Sequence, residues 1–373
     1  MNRSERHAED HVDDERRDLR DCDQRSRRDR DTAERAGAWY GNGMKRWLMP
    51  SCLLVASAGC AHAGPGSAVG GPPGAHADGA HERCAGPSTS TSPFELVVLG
   101  SGGPRGFGRA ASSYLVLVGG RARILVDVGP GAFVRLGELG IEFKDLDTLL
   151  LTHLHIDHTG DVPGLVKSRD LTFDEPMTFR FFGPAGGGDY PSTTTFIDRL
   201  FGEHGAYAYL PRFRNELRFA VTDLPTQADA PIREVLHEHD LRVTSIAVDH
   251  DDVPAVAFRI DHAGHALVVS GDLASKNDNL AKLAAGADVL VYDTAVIDPP
   301  GSPKKLYDLH TAPHRIGEIA AAARVKSLLL SHIPPVVERA REAVLRSVKQ
   351  TYGGPVTFAD DCMRINLTAT TTR

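Results

Sequence analysis

From residue 94 onward, short apolar runs alternate with amphipathic stretches and Gly-rich turns. The apolar runs have the length and the β-branched composition of strands, and the longer amphipathic stretches have helical periodicity. Strands are predicted at residues 94–100, 113–118, 123–127, 147–151, 177–182, 241–248, 256–260, 266–270, 288–292 and 327–330, and helices at 133–139, 191–201, 279–285, 311–323 and 336–352. Because strands and helices are interleaved, the predicted fold class is α/β or α+β.

Several of the predicted strands end at a histidine or an aspartate. His153, His250, Asp272 and His332 each lie just past the carboxyl end of such a strand, and Asp127 ends another. Side chains that are far apart in the sequence converge if these strand ends share one edge of a sheet, where open α/β folds place their sites.

The densest of these positions is His153-Leu-His155-Ile-Asp157-His158, directly after the apolar run 147–151. Residues at i and i+2 of an extended segment point the same way, so His153 and His155 can hold one ion together. Asp157 and His158 follow where the chain turns, within reach of a second ion. Imidazole nitrogen and carboxylate oxygen are ligands that zinc binds. A solvated, His-rich turn is the alternative, but chance would have to place this pattern directly after a strand.

The first 93 residues differ from the rest. Residues 1–43 contain ten Arg, twelve acidic residues and no Lys, and they have too few apolar residues to offset their ordering entropy. Residues 44–63 combine a basic start, a short apolar run and Ala61-His62-Ala63, which predicts an export signal too short to span a bilayer. We therefore expect Met44 to be the true start and residues 1–43 to be translated upstream sequence. The alternative is that residues 1–43 are a genuine disordered extension. The mature protein is then periplasmic or secreted.

Residues 64–93 are rich in Gly, Pro, Ala and Ser and predict a flexible linker before a folded domain at 94–373. A lipid anchor at Cys60 is a less favoured alternative, because Ser57 stands where a lipoprotein cleavage box has Leu. Cys84 and Cys362 could pair in an oxidising compartment, although the sequence does not show that they are close. The sequence leaves the oligomeric state open, a homodimer included.

Taken together, the motifs resemble the metallo-β-lactamase-fold hydrolases over about residues 94–366. The resemblance implies a four-layer αββα sandwich with a dinuclear zinc centre, for which manganese and iron are alternatives. The positions that match the motifs of the family are Asp127, His153, His155, Asp157, His158, His250, Asp272 and His332. The resemblance implies that one zinc is bound by His153, His155 and His250 and the other by Asp157, His158 and His332. It also implies that Asp272 bridges the two.

Within that family, the sequence around His250 resembles the branch that contains ribonuclease Z, the secreted arylsulfatase type and related phosphodiesterases. The segment Leu309-His310-Thr311-Ala312 also resembles that branch, whose corresponding histidine lies at the active site. His310 is thus predicted to protonate the leaving oxygen or to stabilise its charge. Alternatively, His310 only precedes a helix capped by Thr311. His314 is assigned to a solvated helix position. Flavodiiron proteins usually have Glu at the position of His155, which argues against oxygen or nitric oxide reduction.

Two departures separate the chain from ribonuclease Z. It has no recognisable insertion of the kind that clamps tRNA, and Ile333-Pro334-Pro335 replaces the usual Ser-Pro-Arg-Tyr. The net charge of −7 implies neither a nucleic-acid patch nor a membrane-binding surface. Together with the export signal, these departures argue against tRNA as the substrate.

The sequence therefore predicts an exported hydrolase in which two zinc ions supply a bridging hydroxide. The expected substrates are small-molecule phosphodiesters, phosphoesters or sulfate esters, with Asp157 and His310 as catalytic residues. A lactonase or β-lactamase-like ester or amide hydrolase is the first alternative, and a non-enzymatic metal-binding protein is the second.

Other polar positions receive lesser roles. Asp127 is predicted to orient a metal ligand by accepting a hydrogen bond, and the alternative is an Asx turn with Gly129. The turn at residues 100–104 lacks the spacing of a phosphate-binding loop, and Ser331 lacks a base that would make it a nucleophile. The histidines that fit no ligand spacing are predicted at the surface; these are His204, His237, His239, His262 and His265.

Overall fold

The structure, a computed structural model, describes Cys84 and residues 90–368. The predicted upstream segment 1–43, the export signal 44–63 and nearly all of the linker 64–93 lie outside the described residues and stay predictions. Within the described part of the chain, no helix is both long enough and apolar enough to cross a bilayer.

Two seven-stranded sheets form the centre of the fold. The first contains β1 (Phe94–Gly100), β2 (Ser113–Val118), β3 (Arg121–Val126), β4 (Thr148–Leu150), β5 (Met177–Pro184), β6 (Leu217–Leu224) and β14 (Arg364–Asn366). The second contains β7 (Arg233–Glu238), β8 (Leu241–Val248), β9 (Ala255–His262), β10 (His265–Val269), β11 (Val289–Asp293), β12 (Ser327–Ser331) and β13 (Val356–Phe358). The strand orders are β14-β1-β2-β3-β4-β5-β6 and β13-β12-β11-β10-β9-β8-β7.

Helices cover the outer face of each sheet. They are α1 (Ala132–Glu138), α2 (Ile156–Thr159), α3 (Val162–Thr172), α4 (Thr193–Phe201), α5 (Asn279–Leu283), α6 (Leu306–Leu309), α7 (Pro313–Ala322), α8 (Pro335–Arg339) and α9 (Arg341–Lys349), with a 3₁₀ turn at Leu210–Arg212. One apolar cluster joins the first sheet to α1, α3 and α4, and another joins the second sheet to α5, α7 and α9.

A third apolar cluster lies between the two sheets. It joins residues such as Leu96 and Val116 of the first sheet to Phe258 and Leu267 of the second. Alternate side chains of a strand point to opposite faces, so each central strand contributes to this middle layer and to a helix-covered layer. The predicted four-layer αββα sandwich is confirmed.

The direction of each strand determines at which edge of the sandwich its carboxyl end lies. The chain runs parallel from β3 through β6 and from β10 through β13. Because β9 is antiparallel to both of its neighbours, β8 points the same way as β10. At the carboxyl edge the two sheets are linked directly, since the Val256 N–H donates to the Thr152 carbonyl oxygen at 2.8 Å. The segments that follow these strands therefore meet along one edge of the sandwich.

The two cysteines of the described region form a disulfide. Cys84 and Cys362 are bonded, with their Cα atoms 5.2 Å apart across 278 positions of sequence. The pairing that the sequence could only suggest is thus present. It attaches the segment before β1 to the turn before β14, next to the β1–β14 pairing.

The prediction of helices and strands was wrong for the final helix and missed several further elements. The final helix is broken at Ala340 into α8 and α9, because Arg341 is held by tertiary contacts to Asp360 and to the ring of Phe358. Helix α3 and strands β6, β7, β13 and β14 were not predicted. Pro163-Gly164 interrupts the helical pattern of α3, β7 is mostly polar, and β13 and β14 have only three residues each.

The surface prediction was also wrong for one histidine. His262 is buried, with its ring 5.6 Å from that of Phe94 and its Nδ1 3.2 Å from a carboxylate oxygen of Asp240. It ends β9 at the margin of the middle layer, where the apolar ring of Phe94 covers it. The other four histidines of that set are exposed or half-buried.

Candidate metal centre

The loops after the parallel strands bring all seven predicted metal ligands together. Their ring nitrogens and carboxylate oxygens form overlapping groups in which all atoms lie within 4.8 Å of one another. These groups are His153, His155 and His250; His153, His158 and Asp272; and Asp157, His158 and His332. Only His155 among the seven is more than a tenth exposed, so the centre is enclosed.

Asp272 lies between the two predicted halves of the centre. Its Oδ2 is 3.9 Å from the Nε2 of His153 and 4.0 Å from the Nε2 of His250. On the other side, its Oδ1 is 3.5 Å from the Nε2 of His158, and its Oδ2 is 3.2 Å from the Nε2 of His332. One carboxylate therefore faces both groups of nitrogens, the position that a ligand shared by two ions requires.

The carboxylate of Asp127 fixes the orientation of one imidazole in each half of the centre, that of His158 directly and that of His153 through Thr152. It accepts hydrogen bonds from the Thr152 N–H and hydroxyl and from the Nδ1–H of His158, each at 2.8 Å. Because the Thr152 hydroxyl donates to Asp127, it accepts at 3.1 Å from the Nδ1–H of His153. Both imidazoles then present Nε2 to the interior. The predicted orienting contact is present, and the Asx-turn alternative is wrong because the Gly129 N–H bonds to Ser113 instead.

His250 is oriented in the same manner. Its Nδ1–H donates to the Leu309 carbonyl oxygen at 2.8 Å, which leaves Nε2 facing Asp272. The Nε2 atoms of His250 and His158 are buried and have no hydrogen-bond partner among the described residues. Since buried polar atoms normally have partners, these two nitrogens are orphaned in the way that metal-binding nitrogens would be. The donor set of imidazole and carboxylate therefore fits two zinc ions.

Unusual backbone conformations place two of these residues. Asp127 and His332 each follow a strand directly, and both have a φ of 57° in the left-handed region. Non-glycine residues in that region carry strain that the surrounding structure must hold. Asp272 follows Gly271, whose φ is 61° and where a Cβ atom would lie 2.7 Å from that of Thr152. The sharp turns after β3, β10 and β12 direct these side chains into the centre.

Burial and charge act in opposite directions on the ionisable groups. Burial and the charge of neighbouring His158 hold the pKa of His153 well below its usual value. For His158, burial favours the neutral ring, but the carboxylates of Asp272 and Asp127 outweigh it and raise the pKa well above the ordinary range. Burial likewise opposes ionisation of Asp272, yet His332 and His158 keep its pKa well below the usual value. Asp272 is therefore ionised throughout the physiological range.

His310 lies beside the centre, whereas His314 does not. The ring centroid of His310 is 5.5 Å from that of His250 and 5.7 Å from that of His332. His314 is exposed on α7, with its Nε2 3.4 Å from a carboxylate oxygen of Glu318. The capping alternative is wrong, because α7 has Ala312 at its N-cap and the Thr311 hydroxyl donates to the Leu273 carbonyl oxygen.

Asp293, the buried last residue of β11, was not predicted from the sequence as part of the centre. Its Oδ2 accepts a hydrogen bond from the Nδ1–H of His310 at 2.7 Å, and its Oδ1 is 3.4 Å from the Nδ1 of His332. Burial disfavours the protonated form of His310, but the Asp293 carboxylate outweighs it and raises the pKa of His310 to about 9. The only available signal was that another strand ended at an aspartate.

Two further residues of the centre lacked a signal in the sequence. The hydroxyl of Tyr190 lies 3.5 Å from the Nε2 of His155. Gly103 lies against the His332 imidazole, where a Cβ atom would come within 2.7 Å of the ring. The Gly-rich turn at residues 100–104 is thus part of the wall of the centre.

Comparisons with known proteins agree with this architecture. Residues 122–333 match the family described as "Beta-lactamase superfamily domain". The chain is 31% identical over 290 residues to a ribonuclease Z of Mycobacterium sp. (strain KMS), a match that covers 74% of this chain and 96% of that protein.

Two solved structures are similar in fold. The short form of human tRNase Z has a TM-score of 0.57 at 22% identity, and the match covers 74% of this chain and all of that one, 100%. A diphosphatase from the PhnP family has a TM-score of 0.51 at 18% identity and covers 73% of this chain and 97% of that one. With its two-sheet sandwich and its buried cluster of histidines and aspartates, the chain belongs to the β-lactamase superfamily, as a hydrolase of the metallo-β-lactamase fold.

Proposed function

We propose that the protein is a dinuclear zinc hydrolase that cleaves small phosphodiesters. The observation that carries this proposal is the position of Asp272, whose carboxylate faces two separate groups of histidine nitrogens within 4.0 Å. Related phosphomonoesters and sulfate esters have a similar tetrahedral anionic centre and form the wider substrate class.

In this proposal, each half of the centre holds one ion. His153, His155 and His250 would hold the first, Asp157, His158 and His332 would hold the second, and Asp272 would contact both. When bound, two zinc ions make water a nucleophile at neutral pH and stabilise the charge of the transition state. Manganese and iron are the competing metals, and metal analysis separates them.

The protein's own residues supply orientation and a proton. Asp157 lies with its Oδ2 3.2 Å from the Nε2 of His332 and 3.6 Å from the Nε2 of His158, so it fixes the second half of the centre. His310 donates its Nδ1–H to Asp293, which leaves its Nε2 proton for the leaving oxygen of the ester. Because the pKa of His310 is raised to about 9, that proton is present at neutral pH.

The relatives support phosphodiester chemistry. The mycobacterial relative is named ribonuclease Z, and it matches this chain across nearly its whole length. RNA is nevertheless the less favoured substrate, because Ile333-Pro334-Pro335 replaces the motif of that enzyme and the net charge is −7. A polyanion is bound by many Lys and Arg contacts to its phosphates, which an acidic protein supplies poorly.

Export is the second part of the proposal. The signal predicted at residues 44–63 would place the mature enzyme in the periplasm or outside the cell, away from tRNA. The Cys84–Cys362 disulfide supports this location, because disulfides persist in oxidising compartments.

One experiment tests the activity. The purified full chain would be analysed for zinc and assayed with bis(para-nitrophenyl) phosphate, para-nitrophenyl sulfate, a lactone, a cephalosporin and a precursor tRNA. We expect about two zinc ions per chain and turnover of the phosphodiester. Asp157→Ala and His310→Ala should abolish or strongly reduce turnover, whereas His314→Ala, an exposed histidine on the adjacent helix, should not.

The other outcomes are equally decisive. Turnover of only the lactone or the cephalosporin would replace the proposal with an ester or amide hydrolase. Cleavage of only the tRNA would assign the chain the activity for which its relatives are named. A zinc-free chain without turnover would leave a protein that is not a metallohydrolase.

A further inference from the structure

A cavity of about 360 Å³ opens beside the metal centre, next to His310 and His332. Its size lies within the range of pockets that bind small molecules. The two histidines form its inner end, so a group held there lies next to the residue that would protonate a leaving oxygen. The position makes this cavity the place for the leaving group of the ester.

The wall of the cavity is apolar and poor in hydrogen-bond donors. Four of its lining residues are prolines, which have no backbone N–H; these are Pro104, Pro303, Pro334 and Pro335. Ala295, Leu306 and Val336 add further apolar surface. Such a wall suits a flat apolar ring, whereas a sugar or a nucleotide chain would leave its hydroxyl groups without partners.

The wall is also fixed in place. Tyr307 ties the segment before α6 together, because its hydroxyl donates to the Ile297 carbonyl oxygen at 2.6 Å and accepts from the Ser302 N–H at 3.0 Å. A pocket that is already formed binds its ligand without the entropic cost of ordering loops.

Two arginines at the rim have no partner among the residues that the structure describes. Arg105 and Arg339 line the cavity and are exposed, and neither has an ion pair or a side-chain hydrogen bond among the described residues. Their neighbours differ, since Arg109 and Arg341 are both paired with carboxylates of Glu338 and Asp360. Guanidinium groups bind carboxylate and phosphate groups with paired hydrogen bonds, so the rim suits an anion.

We propose that this cavity selects phosphodiesters whose leaving group is an aromatic ring with an anionic substituent, the ring lying against the proline wall and the anion at Arg105 and Arg339. The proposal rests on the phosphodiesterase function proposed above. In the reaction, the oxygen of water bonds to phosphorus and the bond from phosphorus to the aryl oxygen breaks. The phenol leaves with a proton from His310, and the proton lost by water restores His310 through solvent.

The test compares two substrates that differ only in charge. Methyl meta-carboxyphenyl phosphate and methyl meta-carbamoylphenyl phosphate have leaving groups of similar shape, but only the first has an anionic substituent. With the zinc-loaded full chain we expect kcat/KM for the carboxyphenyl ester to be about tenfold higher, from the added charge-assisted hydrogen bonds.

Variants assign that preference to the rim. The double variant Arg105→Gln, Arg339→Gln should lose the preference by reducing kcat/KM for the carboxyphenyl ester alone, with the carbamoylphenyl rate unchanged. Arg346→Gln removes an exposed arginine on α9 outside the cavity and should retain the preference. All three substituted arginines are exposed, so neither the double variant nor Arg346→Gln should affect folding.

The outcomes separate this proposal from the one on which it rests. Equal kcat/KM for the two esters, or a preference that the double variant retains, overturns the selection by the rim while phosphodiesterase activity stands. No turnover of either ester by the wild type overturns the phosphodiesterase function and this proposal with it.

Discussion

Gly103 permits the sharpest test of the metal centre, because substituting it displaces a predicted ligand without altering the ligand itself. A Cβ atom at this position would lie 2.7 Å from Cε1 of His332 and 3.0 Å from each ring nitrogen. Ordinary van der Waals contact begins at 3.4 Å, so the Gly103→Ala variant must separate the two groups by about 0.7 Å.

The imidazole, rather than the loop, is the part that moves. The loop is held directly before Gly103, since the Gly102 N–H donates to the Ala110 carbonyl oxygen at 2.9 Å and the Ser101 hydroxyl donates to Asp361 at 2.7 Å. A movement of 0.7 Å exceeds by more than threefold the tolerance of about 0.2 Å for metal–ligand distances.

We therefore expect Gly103→Ala to lower kcat/KM about 100-fold, which corresponds to about 2.7 kcal/mol of transition-state stabilisation. It should also lower the zinc content toward one ion per chain. The free energy of unfolding should change by only about 1 kcal/mol, the cost of an off-rotamer side chain.

Gly106→Ala is the matched control. It lies in the same loop, no atom lies within 4 Å of the added Cβ, and neither glycine has a positive φ. Zinc content by mass spectrometry, kcat/KM with bis(para-nitrophenyl) phosphate and urea unfolding would be measured for both variants. If Gly103→Ala matches Gly106→Ala in zinc content and in kcat/KM, His332 does not serve the centre as proposed.

Three further predictions follow from other contacts. Asp293→Asn should move the alkaline limb of the pH profile of kcat to lower pH, because His310 must be protonated to act and the Asp293 carboxylate is what raises its pKa to about 9. An alkaline limb that does not move, at full zinc content, would show that His310 does not transfer the proton. Cys362→Ser should lower the free energy of unfolding by about 2–4 kcal/mol in urea, since the bond to Cys84 closes a very long loop, and an unchanged midpoint would contradict this. N-terminal sequencing of the mature protein should place its start within residues 44–64, and a product that retains residues 1–43 would refute the export signal.

The sequence predicted which side chains meet at the centre, because these residues follow recognisable strands. His153, Asp272 and His332 stand directly after apolar runs, and parallel strands bring their carboxyl ends to one edge. The apolar run before each of these three residues therefore indicated at which strand end, and at which edge of the sheet, its side chain lies.

What the sequence could not predict depends on contacts between distant segments. Asp293 resembles any aspartate at a strand end, and its role becomes clear only when the loop to His310 folds back onto β11. Gly103 and His332 lie far apart in the sequence and meet only because the first sheet packs on the second. The break at Ala340 arises likewise from contacts of Arg341, which helical periodicity does not encode.

Residues 356–366 complete both sheets at once, and this arrangement fixes the order in which the molecule can mature. They supply β13, which covers one side of β12, and β14, which covers one side of β1, with Cys362 between the two. Until these residues leave the ribosome or the translocation channel, two buried strands have open edges that favour aggregation. One of them is β12, the strand that His332 directly follows. The zinc loading proposed above would therefore be a late event in biogenesis, and the proposed export would place it on the far side of the membrane.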